Sequence, residues 1–415
     1  MEPDVPQAAA PTATRSRRRV LLALALVALV VRAALVLGGA DVRRGPRDLE
    51  DRYDKIAHSL LRGHGFARGG TPTATAPPLY PLFLAGVYGT LGESKTSLML
   101  VLALLDAVTC ALCAAVAWRL LGREVGILAG LAVAFSPYSV YSVLLAGTDT
   151  LSVFLNWVGF FFLVGAVDTR RGWRFLAAGG ALGAAALCRA SALLLPVFLL
   201  PLALVARELP WRRRALHAAA LLLGAAVLIT PWTARNWVRF GQFIPIQTLG
   251  GMHVLQGAPL PTGLNPLAPA VPPGAAAPVA RSGEKFNPAN AARDADYYGT
   301  AWQRIKARPL AYLRNIILHA ISMWFRTQSS DFRWFLWPVN CALLALTAIG
   351  VFIKRRELWR LAPLWFPIVY YIGVHTITYP VLRYILPIIP AMTTLAAVPL
   401  VWLLLRSRRP APVAP

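Results

Sequence analysis

The chain has 415 residues, of which 57% are hydrophobic and only 14% are charged, whereas about a quarter of the residues in soluble proteins are charged. Its net charge is +24, but the basic residues lie mainly in short clusters between apolar stretches, with no basic groove interleaved with aromatic residues. Apolar stretches close to the roughly 20 residues needed to span a bilayer recur from end to end. The composition therefore argues against nucleic acid binding and against a large soluble domain, and predicts a polytopic membrane protein.

The first apolar stretch, residues 20–37, follows a basic cluster at 15–19 and carries Arg32 near its far end. It has no clean small-x-small cleavage site. We therefore interpret it as a retained helix with its N-terminus in the cytoplasm, preceded by a cytoplasmic tail at 1–19.

The later spans are located by their apolar stretches and oriented by the basic clusters between them. Residues 175–206 are too long for one helix and are basic at both ends, so this stretch must cross and return, with Arg189 in the turn at the outer face. We predict ten helices, all within a transmembrane domain at 20–405 that is followed by a cytoplasmic tail at 406–415. The spans are 20–37, 96–118, 125–145, 150–167, the hairpin 175–206, 215–231, 335–353, 361–378 and 385–405.

Two predicted outer segments are long, 38–95 and 233–334. The second contains a stretch rich in proline and small residues, 258–278, which is typical of a flexible loop. Residues 295–326 follow it and show the apolar pattern of interfacial helices. The outer surface is therefore expected to consist of loops and of helices lying along the membrane.

The stretch LEDRYDKIAHSLLRGHG, residues 49–65, concentrates acidic residues in a chain that has few. Its apolar and aromatic positions recur with helical spacing, which predicts an amphipathic helix. Glu50, Asp51 and Asp54 occupy the first turn, where the positive end of the helix dipole favours carboxylates. Stabilisation of the helix is therefore a sufficient structural explanation for these acids when the segment is considered alone.

Other charged residues are predicted at the same membrane face. Charges at membrane depth are costly and by default indicate a functional site, although each arginine alone would equally suit phospholipid headgroups. These residues are Arg32 at the end of the first span, Asp149 after the third, Arg189 in the hairpin turn, Arg235 after the seventh and Arg383 after the ninth.

Carboxylates that face arginines at a membrane boundary suit the displacement of a phosphate-linked group carried on a lipid. Arginines hold the phosphate and neutralise the charge that grows on it, while a carboxylate removes the proton of the acceptor. A lipid-linked sugar flippase or transporter is the alternative, but it is expected to place ionisable groups at mid-membrane in broken, repeated helices. A scaffold that only binds a lipid-linked sugar is a third class.

Six stretches resemble the bacterial polyprenyl-phosphate-dependent glycosyltransferases of the GT-C fold, specifically the family 39 group related to protein O-mannosyltransferases and to the aminoarabinose transferase that modifies lipid A. In order and spacing they cover about the whole chain, and they are 50–66, 73–89, 135–150, 183–196, 231–251 and 383–390. The resemblance implies an all-α GT-C bundle with interfacial helices in its outer loops. It also implies a multi-pass enzyme of the inner (plasma) membrane that transfers a hexose or pentose, with inversion, on the periplasmic or exterior face.

The resemblance implies roles for the charged residues. The catalytic acid of the family precedes a tyrosine, which is Tyr53 here, and Leu49 stands where the first acid of the usual pair is found. The base is therefore Glu50 or Asp51, with Asp51 preferred. The resemblance also implies Asp149 as a further catalytic acid, in the second outer loop, and Arg189 and Arg383 at the donor phosphate, while Arg235 matches the start of the long loop. From their predicted position at the same face, Arg32 and Arg235 are further candidates for binding the donor phosphate, and Tyr53 and Asp54 are candidates for substrate positioning.

The expected partners are a polyprenyl-phosphate-linked sugar, membrane lipid and an acceptor that is a lipid, a glycan or a protein. The histidines, including His319 and His375, do not fall at metal-ligand spacing, so we expect surface or interfacial histidines and no metal ligands among them. A divalent metal between Asp51 and Asp149 remains an alternative, because some relatives of this fold use one. No other cofactor is predicted.

Overall fold

The computed structural model describes residues 11–40, 48–205, 208–259, 289–325, 333–378 and 380–407, and the statements below refer to these residues. They are mostly helical, and the described strands form one short antiparallel hairpin, β1 (Ala67–Arg68) and β2 (Thr71–Pro72). The α-helices, in chain order, are α1 (Pro11–Leu37), α2 (Asp48–Leu61), α3 (Leu79–Leu91), α4 (Lys95–Leu121), α5 (Arg123–Ala134), α6 (Pro137–Leu144), α7 (Thr148–Thr169), α8 (Gly172–Cys188), α9 (Leu195–Phe198), α10 (Leu200–Leu204), α11 (Trp211–Phe240), α12 (Gly250–Gly257), α13 (Ala289–Ala307), α14 (Pro309–Ser322), α15 (Arg333–Ile353), α16 (Ala362–Ile377) and α17 (Ile389–Ser407).

Six helices of the described chain are long and apolar enough to cross a membrane, or seven if α5 and α6, which are bent by 42°, form one span. The all-α, polytopic prediction is confirmed. The count of ten is not, because α8, the broken stretch Ala190–Leu204 and α16 are all shorter than 18 residues. The bend falls at Pro137, whose ring removes a backbone donor and resists continuation of the preceding helix.

Helices extend into both long segments that were expected outside the membrane. The second segment was expected to begin at residue 233, and α11 continues through Pro231 to Phe240. The first outer segment was expected to be loop and one amphipathic helix, yet it also contains the apolar helix α3. The helices expected within 295–326 are observed as α13 and α14, whereas 260–278 of the proline-rich stretch lies outside the described residues.

The spans differ in how much of their surface is buried inside the protein. The most apolar windows of α4, α7 and the last span are 61%, 67% and 72% buried, whereas those of α1, α11 and α15 are 22%, 22% and 11% buried. The first three therefore form the centre of the bundle, and the last three expose large apolar side chains, mainly leucine and valine on α1 and α11 and phenylalanine, tryptophan and isoleucine on α15. The main core is rich in alanine and includes the fully buried Trp157 and Phe160.

The contact between α8 and α11 is made by backbone against backbone. A Cβ atom added at Gly224 would lie 2.1 Å from the carbonyl oxygen of Leu176, and one added at Gly179 would lie 1.9 Å from that of Leu221. Small residues allow such close approach between helices in a membrane, where packing rather than the hydrophobic effect holds helices together. This interface fixes the helix that ends at Arg189.

Gly224→Ala is therefore expected to destabilise the protein by about 1–3 kcal/mol, because neither backbone can move away without losing the contact. Thermal unfolding in detergent, followed by tryptophan fluorescence, measures the change. Gly86→Ala is the matched control, because Gly86 is also helical but a Cβ there meets nothing within 4 Å. Equal midpoints for the two variants would contradict the interpretation.

Candidate active site

Asp149 lies in the first turn of α7, after a tight turn that follows α6. Ala146 in this turn has a φ of 50°, a left-handed conformation that is strained for a residue other than glycine. The carbonyl oxygen of Ala146 accepts a hydrogen bond from the Tyr80 hydroxyl of α3, which holds the turn in place. Asp149 is only 1% exposed, and the helix dipole favours its negative charge.

Two arginines from distant parts of the chain pair with Asp149. Nη1 of Arg189 contacts Oδ1 of the carboxylate, and Nε of Arg383 donates a hydrogen bond to Oδ2. Arg189 has extended backbone directly after α8, and Arg383 lies in the 3₁₀ helix Leu382–Ile388 that precedes α17. The three predicted site residues at 149, 189 and 383 are thus brought together by three separate elements.

The Asp149–Arg189–Arg383 cluster carries one net positive charge, since two guanidiniums share one carboxylate. Each guanidinium has several N–H donors in a planar fork. The two oxygens of one carboxylate cannot accept hydrogen bonds from all the donors of two guanidiniums, so some donors remain for another ligand. The arginine side chains are 14% and 15% exposed, so they are not sealed inside the bundle. The cluster is therefore suited to bind a phosphate or another anion.

Position 147 lies directly beside the cluster. A Cβ added there would lie 3.0 Å from Nη2 of Arg383 and 3.7 Å from Oδ2 of Asp149, so a larger residue would shift the Arg383 side chain by a few tenths of an ångström. Gly147 has an ordinary φ of −111°, so its backbone conformation is open to other residues.

Aromatic rings surround Arg189. Its guanidinium carbon lies 5.2 Å from the ring centre of Tyr384, a cation–π contact. The ring of Tyr53, on α2, packs edge to face with Tyr80 at 5.3 Å, and Tyr80 holds the turn before Asp149. The predicted positioning residue Tyr53 is therefore linked to the cluster through Tyr80.

The predicted amphipathic helix is observed as α2, with Ile56 and Ala57 buried. Glu50 and Asp51 fall in its first turn, but their side chains lie outside the described residues. The carboxylate of Asp54 accepts a hydrogen bond of 2.9 Å from the Tyr88 hydroxyl. Further along α2, Nε2 of His58 lies 2.9 Å from the Glu93 carboxylate, and this hydrogen bond raises the pKa of His58.

Arg32 is held by other partners. Its side chain is buried, with Nε 2.8 Å from the Asp106 carboxylate and Nη2 2.9 Å from the carbonyl oxygen of Val133. It also donates to the carbonyl oxygens of Ala28 and Ala134. These contacts connect α1, α4 and α5, so the predicted phosphate role is not favoured by this geometry.

Arg235 is also engaged elsewhere. It donates hydrogen bonds to the carbonyl oxygens of Thr73, at 2.9 Å, and Phe66, at 3.1 Å. Its guanidinium carbon lies 4.7 Å from the ring centre of Trp232. Arg235 thus fastens the β1–β2 hairpin to α11, and its predicted phosphate role is likewise not favoured.

Several residues of this region were not found from the sequence. Asp106 is an isolated acid within an apolar span, a signal that should have suggested a partner for Arg32. His319 and His375 were expected to be surface or interfacial histidines, but they are only 4% and 5% exposed. Their burial depends on how α14 and α16 pack, which the sequence pattern does not show.

The arrangement does not suit a divalent cation at Asp149. Both of its carboxylate oxygens face guanidinium groups, and a metal ion there would add positive charge beside two arginines. Within the described chain no group of three or more His, Cys, Asp or Glu side chains could hold a metal ion. The alternative of a metal shared by Asp51 and Asp149 therefore does not fit the Asp149 side of that site.

Part of the chain matches a known protein family. Residues 75–234 match the sequence model of the dolichyl-phosphate-mannose-protein mannosyltransferase family, a segment that includes Asp149 and Arg189 but not Arg383. A comparison with curated proteins finds no significant match.

Among solved structures, the chain is similar to the oligosaccharyltransferase AglB from Archaeoglobus fulgidus in complex with an inhibitory peptide and a dolichol phosphate. The TM-score is 0.57 at 12% identity, covering 98% of this chain and 53% of that one. The apo oligosaccharyltransferase of the same organism gives a TM-score of 0.56 at 14% identity, covering 94% and 51%. ArnT from Cupriavidus metallidurans bound to undecaprenyl phosphate gives 0.44 at 17% identity, covering 94% and 79%.

The chain spans about half the length of the archaeal oligosaccharyltransferases that it matches. At these identities the similarity to the archaeal structures shows the fold, and the predicted GT-C architecture is confirmed. The family match over residues 75–234 agrees with the resemblance to glycosyltransferases that use a lipid-linked sugar.

Asp149→Asn is expected to lower the free energy of unfolding by about 2 kcal/mol, because it leaves two partly buried guanidiniums without their counterion. The double variant Asp149→Asn/Arg383→Gln should recover part of the loss, since one uncompensated cation is removed. Thermal unfolding in detergent measures both.

Asp168→Asn is the matched control. Asp168 pairs with Arg119 but is 41% exposed, so its loss should cost no more than about 0.5 kcal/mol. If the double variant is no more stable than Asp149→Asn alone, the charge-pairing explanation is wrong.

Proposed function

We propose that the protein is a membrane glycosyltransferase that moves a hexose or pentose from a polyprenyl-phosphate donor to an acceptor at the outer face of the plasma membrane. The observation that carries this proposal is the Asp149–Arg189–Arg383 cluster, a net-positive site at the ends of apolar helices in a GT-C fold. Such a site suits a phosphate that is attached to a lipid tail lying between the helices.

In the proposed reaction the guanidiniums of Arg189 and Arg383 bind the phosphate of the donor. A hydroxyl oxygen of the acceptor attacks the anomeric carbon of the sugar while the bond from that carbon to the phosphate oxygen breaks. The electron pair of this bond leaves with the polyprenyl phosphate, whose growing charge the arginines neutralise. Attack opposite to the leaving group inverts the anomeric carbon.

The proton of the acceptor requires a carboxylate base. Asp149 is poorly suited, because both of its oxygens face guanidiniums that favour its charged form. We therefore propose that Asp149 orients the two arginines and that the base is Asp51 or Glu50. Support for this choice comes from Tyr53, which follows them on α2 and packs on Tyr80, the residue that holds the turn before Asp149.

The positions of the charged residues along the helices give less support to the transporter alternative. Asp149 is in the first turn of a span, Arg189 lies at a helix end and Arg383 precedes one, whereas coupling groups of transporters lie at mid-membrane. The pair formed by Arg32 and Asp106 does lie within spans, but it is enclosed by protein groups.

Consumption of the donor tests the proposal. The purified protein in detergent is incubated with a panel of radiolabelled undecaprenyl-phosphate hexoses and pentoses and with a membrane lipid extract as acceptor. Arg383→Gln should lower kcat/KM by about a hundredfold or more, as expected when a stabilising donor is lost. Arg119→Gln, in the exposed pair with Asp168, should have no effect.

The same assay distinguishes the candidate bases. Removal of the base, by Asp51→Asn or Glu50→Gln, should lower kcat by about a hundredfold to ten-thousandfold with a smaller change in KM. Full activity in Asp51→Asn, Glu50→Gln and Asp149→Asn would contradict a carboxylate mechanism. Movement of intact donor across liposome membranes without its consumption would instead establish the transporter.

A further inference from the structure

A column of three aromatic rings leads from Arg189 into the bundle. Tyr384, which the guanidinium of Arg189 covers, stacks on His375 with ring centres 4.6 Å apart and planes 22° apart. His375 stacks in turn on Tyr371, at 6.2 Å and 19°. The column passes from the 3₁₀ helix Leu382–Ile388 to α16.

The far end of the column returns to α7. The Tyr371 hydroxyl donates a hydrogen bond of 3.0 Å to Oδ1 of Asn156, whose Nδ2 donates one of 2.8 Å to the carbonyl oxygen of Ser152. Asn156 lies about two helical turns beyond Asp149, on the same face of α7. The contacts thus form a closed circuit that leaves α7 at Asp149, passes through Arg189 and the three rings, and rejoins it at Asn156.

The far end of the circuit, away from Arg189, is buried. Asn156, Tyr371 and His375 are 0%, 1% and 5% exposed. Nε2 of His375 has no hydrogen-bond partner among the described residues, and a buried polar atom without a partner costs free energy. An aliphatic side chain would avoid that cost but could not stack between the rings of Tyr384 and Tyr371.

We infer that Tyr384 and His375 are positioning residues that fix the plane of the Arg189 guanidinium. An arginine has a long, flexible side chain, and a single contact with Asp149 leaves its plane free to rotate. The Tyr384 ring supports the flat face, and His375 and Tyr371 hold that ring against α7. The donors that Asp149 does not occupy then face the phosphate. This inference rests on the proposed function.

The affinity for undecaprenyl phosphate itself tests the inference, measured by titration of the full chain in nanodiscs. Tyr384→Leu should weaken binding about tenfold, the effect of a lost cation–π contact, whereas Tyr384→Phe should stay within about twofold. His375→Leu should weaken binding about threefold and His375→Phe should restore it, because the stack is restored. In turnover, Tyr384→Leu should raise KM for the donor with little change in kcat.

Two controls separate positioning from general damage. Undecaprenol, which lacks the phosphate, should bind all variants equally. Phe198→Leu removes a ring that packs on Phe366 and Tyr370, at 5.7 Å and 5.5 Å, and should leave phosphate binding unchanged. Equal losses in Phe198→Leu and Tyr384→Leu, or wild-type affinity in Tyr384→Leu, would overturn the inference.

The outcomes also separate this inference from the proposed function. A wild-type protein that does not bind undecaprenyl phosphate overturns both, whereas normal wild-type binding together with normal binding by Tyr384→Leu overturns the inference alone. Should Tyr384→Leu fail to fold, the His375→Leu and His375→Phe pair gives the answer. Equal affinities for those two variants and the wild type would then reject the positioning role.

Discussion

One carboxylate shared by two guanidiniums is the interaction on which the architecture of this region depends. Asp149 is buried, and a buried charge is tolerated only when it is paired. The pairing requires α8 to end at Arg189 and a 3₁₀ helix to present Arg383. Gly147 stands beside the pair, where a Cβ atom would lie 3.0 Å from Nη2 of Arg383. Breaks at the ends of two helices thus bring both arginines to one carboxylate.

The arginines of this protein fall into two groups according to how their charge is compensated. Arg32 pairs with the Asp106 carboxylate and donates hydrogen bonds to several carbonyl oxygens, so its charge is compensated within the protein. Arg189 and Arg383 share one acid and keep both partial exposure and spare donors. Incomplete compensation, and not the presence of arginine near a membrane boundary, is what distinguishes a site from a structural contact.

This distinction explains what could be predicted from the sequence. Apolar stretches and basic clusters were sufficient to place Asp149, Arg189 and Arg383 at one face, because each lies where a hydrophobic span ends. The same logic grouped Arg32 and Arg235 with them, since a sequence shows where a charge lies along a span but not which side chains surround it. The partners of these two, Asp106 and the β1–β2 hairpin, become visible only when the helices are packed.

The helix count and the aromatic column also could not be predicted from the sequence, because both depend on where helices break and how they pack. The break between α8 and α10 and the bend at Pro137 turn continuous apolar stretches into short helices, so length alone miscounts them. The column needs α16 and the following 3₁₀ helix to fold back on each other, which brings His375 onto Tyr384. Periodicity describes one helix at a time, whereas stacking depends on the angle between two.

The order of the chain has a consequence for how the anion site comes into being. Arg189 directly follows α8, the next α-helix after that of Asp149, whereas Arg383 follows Asp149 by 234 residues and shortly precedes α17. A chain that ended after α11 would carry only the Asp149–Arg189 pair, whose charges cancel. The second guanidinium, and with it the net positive charge of the cluster, is added only when the 3₁₀ helix Leu382–Ile388 packs against α7. The charge of the cluster therefore depends on a contact between distant parts of the chain.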